Sequence, residues 1–186
     1  MLNIYDYMKI GDVLKTAEKY NVKNIMEHEI KVENFAVRIY DVMNKNSYLR
    51  GTFGSLLSCS AILHDVGCFI NKTILQEENF KNVPWELRHC LSIVAGSHRK
   101  DLDCDIGLYE EAKKRKLLEL IAILRVSDAL DHTHKLNTSI ENIDLKEKCL
   151  YIDMRGNNLE KIFLKLNDKS DLFEKIFSVK VRAREV

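Results

Sequence analysis

The stretch from about Tyr109 to Leu130 limits this chain more than any other. Leu117, Leu120, Ile121 and Leu124 recur at three- and four-residue steps, which predicts a long helix with one strongly apolar face. Four residues beyond Leu124, on the same face, stands Asp128. A carboxylate there must meet an arginine, a histidine or a metal ion, because burying it alone is too costly. Arg125, three residues earlier, supplies a non-metal partner. The fold therefore has to bring something to Asp128, and the other apolar stripes show what is available.

Val32, Phe35, Ala36, Ile39 and Met43 form the buried face of a helix expected over residues 25–43, and His28 extends that face. A second apolar run, SLLSCSAILHDVGCFI from Ser55, ends in the adjacent pair His64–Asp65. It reads as a helix over 53–66, with Gly67 suited to a left-handed cap. Pro84 opens another helix, whose stripe of Leu87, Leu91, Val94 and Ala95 is continued by His98 and followed by the basic pair Arg99–Lys100. A basic helix terminus complementing the helix dipole accounts for that pair just as well.

Other segments carry less. Asp12–Tyr20 reads as a short helix, residues 68–83 as a loop with a short helical turn, and the acidic loop 101–107 as a solvated segment. His132 and His134 read as surface residues. Residues 140–145 and 150–154 alternate about a turn at Lys146–Cys149, the pattern of a β-hairpin. Leu159–Leu166 reads as a third strand or a helical turn. Asp168 is placed to cap a last helix with Leu172, Phe173, Ile176 and Phe177 on its apolar side, and a basic tail follows. The expected fold is mainly α, a helical bundle over 1–136 with a β-hairpin and C-terminal helix over 137–186 packed on it.

Lys and Arg number 29 against 28 Asp and Glu, so no global charge favours DNA, RNA or a membrane surface. No apolar stretch reaches transmembrane length, and the first residues lack the pattern of a signal peptide. Five cysteines without close pairing point to reduced thiols and a cytoplasmic protein.

His28, the pair His64–Asp65 and Asp128 thus end apolar stripes on three separate helices. One shared divalent ion would offset the burial of all four, and a mixed imidazole–carboxylate set suits Mn²⁺, Fe²⁺, Zn²⁺, Ni²⁺ or Mg²⁺ without choosing among them. The pattern resembles the HD domain of metal-dependent phosphohydrolases. It is closer still to the helical C-terminal domain of the exopolyphosphatase/guanosine-pentaphosphatase family. The stretches that carry the resemblance are HEIKVENFAVRIYDVM, SAILHDVGCFIN, IVAGSHRK and LLELIAILRVSDALDHTH, within roughly residues 12–166.

The resemblance implies an HD-type helical bundle and a phosphohydrolase acting on a nucleotide or other small phosphate ester. His28, His64, Asp65 and Asp128 would hold the metal. Asp65, His98 and Arg99 would serve catalysis, with Arg99 or Lys100 positioning phosphate. Two departures shape the expectation. Nothing here resembles the actin-like domains in which the family's larger enzymes carry their polyphosphate chemistry, so a stand-alone domain is expected and that activity is not carried over. No histidine lies between Gly67 and Pro84, where the family usually has more, which favours one metal over two. A non-catalytic domain that binds nucleotide, polyphosphate or a partner protein is the alternative. A third reading is a homodimerisation module using the hairpin and the Leu172–Phe177 face.

Overall fold

In a computed structural model of the chain, residues 3–20, 26–49, 51, 53–66, 74–99, 101–134 and 138–186 are described. The elements are α1 (Ile10–Tyr20), α2 (Met26–Lys45), α3 (Gly54–Leu63), α4 (Trp85–Gly96), α5 (Glu111–Leu130), β1 (Ser139–Lys146), β2 (Cys149–Arg155), α6 (Leu159–Lys169), α7 (Asp171–Phe177) and β3 (Lys180–Glu185). The protein is mostly helical with one small sheet near its C-terminus, as the apolar periodicity predicts. The expected cap at Gly67, the phosphate contact at Lys100 and the boundary at residues 136/137 touch positions outside the described residues.

α5 is the central rod. Its second half, from Leu117 to Leu130, is buried almost all round, and α2, α4, α6 and α7 pack against it. α3 is equally enclosed, with every residue from Leu56 to Leu63 buried. Two helices buried on all sides cannot sit at the edge of a bundle, so the rest of the chain wraps them. One contiguous apolar core runs from Ile4 through these helices to Val181.

α3 is shorter than its apolar run suggests. It ends at Leu63, and His64 and Asp65 occupy the turn beyond. The reason is local: the His64 ring donates from Nδ1 to the Ala61 carbonyl at 2.6 Å, satisfying a last-turn acceptor that further helix would have used. α4 closes the same way, with His98 Nδ1 donating to the Ala95 carbonyl at 2.7 Å just past Gly96. Each histidine is fixed by the helix it terminates.

The C-terminal region decides between the two readings of Leu159–Leu166 and corrects others. Leu159–Lys169 is a helix, with Leu159, Ile162 and Leu166 buried at three- and four-residue steps. Asp168 lies inside it and caps nothing; Ser170 precedes α7, without a side-chain cap. The basic tail is a strand: β3 pairs parallel with β2, while β1 and β2 form the expected antiparallel hairpin. The hairpin turn places Glu147 (φ 50°) and Lys148 (φ 58°) in the left-handed region, the geometry of a tight two-residue connection. β1 is tied to α2 by Arg38, whose guanidinium donates to the Ile140 carbonyl at 2.7 Å. Leu172, Phe173, Ile176 and Phe177, the face that suggested a dimer contact, are buried in the chain's own core.

Candidate metal centre

α2, the turn after α3, and α5 bring His28, His64, Asp65 and Asp128 together. Donor atoms of His28, His64 and Asp65 all lie within 4.8 Å of one another. Asp128 Oδ1 stands 3.6 Å from Nε2 of His28 and 3.6 Å from Nε2 of His64. The four residues expected at the centre are thus neighbours, although up to 100 positions separate them in the chain.

The outward ring nitrogen of each histidine decides what this arrangement can do. His64 is fully buried and His28 is 4% exposed, yet neither Nε2 has a hydrogen-bond partner. The carbonyl of Ala61 takes the Nδ1 proton of His64, which leaves the Nε2 lone pair of the neutral ring aimed towards Asp128. A lone pair facing a carboxylate oxygen is repulsive unless a proton or a cation lies between them. Orphaned buried nitrogens converging on carboxylates are the donor set that a divalent ion requires. The residues present fit a metal.

Protonation agrees with this geometry. Burial alone would lower the pKa of His28, but the Asp128 and Asp131 carboxylates outweigh it and raise the value to about 9. Burial would raise Asp128, but His28 and His64 hold its carboxyl well below the usual carboxylate range. A bound metal would stand where the His28 proton does. His98 behaves differently: burial and the neighbouring His64 push its pKa down to about 4, so the ring is neutral at pH 7. Its Nε2 lies 3.5 Å from Asp65 Oδ1. The expected contact of His98 therefore falls on the centre itself.

Three residues at the site escaped the sequence reading. Asp131, 1% exposed, accepts from His28 Nδ1 at 2.8 Å and from Lys31 Nζ at 2.7 Å, fixing the ring of His28. Its signal was the spacing: it lies three residues beyond Asp128, on the same side of the helix end. Glu29 is 1% exposed, its Oε2 is unpartnered, and burial pushes its pKa up to about 7, with Asp65 adding to the rise and His64 opposing it. Lys169, at the end of α6, pairs with Asp128 Oδ2. Arg125, the partner expected for Asp128, instead donates to the carbonyls of Ser97 (2.9 Å) and Asp101 (3.3 Å).

His132 and His134 are exposed as expected, but the His134 ring stacks on His28 with centroids 4.0 Å apart. The acidic loop leaves Asp101, Leu102 and Gly107 exposed, as a solvated segment would, and holds a short 3-10 turn, Cys104–Leu108, from which Asp105 contacts His89. Arg99 is exposed and lines a cavity of about 450 Å³ beside Asp65, His98 and Asp128. Arg125, Lys165 and Lys169 line it too. An anion entering this cavity meets these cations interspersed with Asp168 and Asp171, next to Asp65, His98 and Asp128 of the centre.

Residues 10–172 match the family described as Ppx/GppA phosphatase, domain III, and the chain belongs to that family. No curated protein matches the chain. None of the helices among the described residues is long and apolar enough to cross a membrane.

Proposed function

We propose that this protein is a metal-dependent phosphohydrolase of the HD type, acting on a nucleotide or another small phosphate ester in the cytoplasm. One divalent ion would be held by His28, His64, Asp65 and Asp128. The observation that carries this reading is the pair of buried, unpartnered Nε2 atoms on His28 and His64, facing Asp128 Oδ1 at 3.6 Å each. When bound, the ion would supply Lewis acidity and an activated water.

The chain's own residues do the rest. The Asp131 carboxylate and the Ala61 carbonyl fix the two imidazoles, so that little reorganisation accompanies binding. Arg99 and Lys169 line the cavity and would receive phosphoryl oxygens. Neutral His98 points its Nδ1 proton at the Ala95 carbonyl, which leaves its Nε2 lone pair 3.5 Å from Asp65 Oδ1 and turned to the centre.

The test has two parts. Purified protein is analysed for divalent metal and compared with His64→Ala; equal metal content and stability in the two would end the coordination reading. Metal-loaded protein is then given a panel of nucleotides and phosphate esters with Mn²⁺, Mg²⁺ and Ni²⁺ in turn. A loaded protein that hydrolyses none of them supports the second reading, a non-catalytic anion-binding domain. The Lys169–Asp128 ion pair favours that reading, because it satisfies the carboxylate without a metal while Arg99, Arg125 and Lys165 still line the cavity.

A further inference from the structure

The cavity beside the metal centre does not end there. A second cavity, of about 530 Å³, shares His132, Lys165 and Asp168 with the first, so the two form one groove. Its outer half is bounded by Lys161 and Leu164 of α6. Lys161, Lys165 and Lys169 are spaced by four residues and lie on one face of that helix. At 1.5 Å per residue they form a row about 12 Å long, from Asp128 outwards. Lys169 is paired with Asp128. Lys165 has only a loose pairing with Asp168 at 3.6 Å, and Lys161 is exposed.

Charge and polarity along the groove narrow the ligand. At the inner end Asp65 and Asp128 would be committed to the metal, leaving Arg99, Arg125 and Lys169 against Asp171. At the outer end the charges are Lys161 and Lys165 against Asp168. Between Lys161 and Lys165 stands Leu164, 71% exposed and part of the groove wall. A bare chain of phosphates has no use for an apolar wall in its middle, whereas a carbon skeleton does.

We infer that the groove is built for a bisphosphorylated organic ester, with one phosphate at the metal centre, its carbon linker along Leu164, and the second phosphate on Lys161 and Lys165. This rests on the phosphohydrolase reading for the inner phosphate only; the outer subsite stands on the groove itself. Lys161 and Lys165 are specificity residues, not catalytic ones.

The test compares binding of butyl phosphate, 1,6-hexanediol bisphosphate and inorganic tripolyphosphate to the Mn²⁺-loaded protein by calorimetry. It also follows phosphate release from the two esters. The bisphosphate is expected to bind about tenfold more tightly than the monophosphate. The variant Lys161→Ala, which touches the outer cavity alone, should remove most of that advantage and leave the monophosphate unchanged; Lys161→Arg should restore it. Leu164→Asp should weaken the bisphosphate and spare tripolyphosphate. Equal binding of the two esters by the unaltered protein overturns the inference, as does an advantage that survives Lys161→Ala. Absence of binding overturns it too. If Lys161 carries the preference but no ester is hydrolysed, the subsite stands and the proposed hydrolysis falls.

Discussion

His64 and His89 are both folded into the protein, and they show two opposite uses of an imidazole. His89 has both nitrogens engaged: Nδ1 lies 2.7 Å from the Tyr109 hydroxyl and Nε2 lies 3.2 Å from Asp105. Trp85 stacks on it with the rings 15° from parallel, and the cluster closes the α4 face against the turn after it. His64 is more deeply buried and less satisfied, with one nitrogen on a backbone carbonyl and the other on nothing. The contrast separates a histidine whose polar atoms are all used by the fold from one with a buried nitrogen left over, which is where the proposed ion would bind.

The largest effect that could break this contrast is at the centre. His64→Ala is expected to lower metal affinity by at least about 100-fold, with the bound ion read by elemental analysis after dialysis. His89→Ala should leave metal content unchanged; parallel losses in both variants would erase the distinction. Asp131→Asn keeps the shape of the His28 partner but removes its charge. It is expected to weaken metal binding by about 10- to 100-fold, measured by calorimetry. No change would mean that His28 is held by its stacking on His134 alone.

The other side of the comparison is sharpened by stability. His89→Phe keeps the stack on Trp85 and removes both polar contacts, with an expected loss of about 1–2 kcal/mol in urea unfolding and no change in metal affinity. The smallest effect is at Glu77, another fully paired group. Burial alone would raise its pKa, but hydrogen bonds from Tyr20 (2.6 Å) and Lys19 (3.0 Å) outweigh that and hold it below its ordinary value of 4.5. The folded state therefore binds this proton less readily than the unfolded chain. The contribution is present above pH 4.5 and is lost as the pH falls through the lower native value. Glu77→Gln should flatten that acid limb by less than about 1 kcal/mol in pH-dependent melting.

Much of this was legible before any coordinates, and the rest fails for identifiable reasons. The faces of α2, α4 and α5 follow from three- and four-residue apolar spacing, and the residues that end those faces are the ones that meet. What the spacing misses are partners chosen by distance in space. Asp131 answers His28 across 103 positions, and Lys169 answers Asp128 across 41. Lys169 lies on no apolar stripe that would have drawn attention to it, and the spacing that puts Asp131 beside Asp128 does not point to His28. β3 was equally hidden, because KVRARE buries only Val181 deeply and its parallel partner β2 lies far back in the chain. α6 was ambiguous because three buried side chains are too few to tell a short helix from a strand.

The spread of the centre over distant segments has a consequence for folding. With residues 28, 64 and 128 each on a separate element, an unfolded chain offers an ion only isolated imidazoles and carboxylates. Closing those loops carries an entropic cost that the metal cannot repay until the helices have docked. An ion that binds the native state alone shifts the unfolding equilibrium by mass action, adding about 2.7 kcal/mol at a hundredfold excess over its dissociation constant. The melting temperature of this protein would then work as a gauge of free divalent metal around it, whatever the ester in the groove.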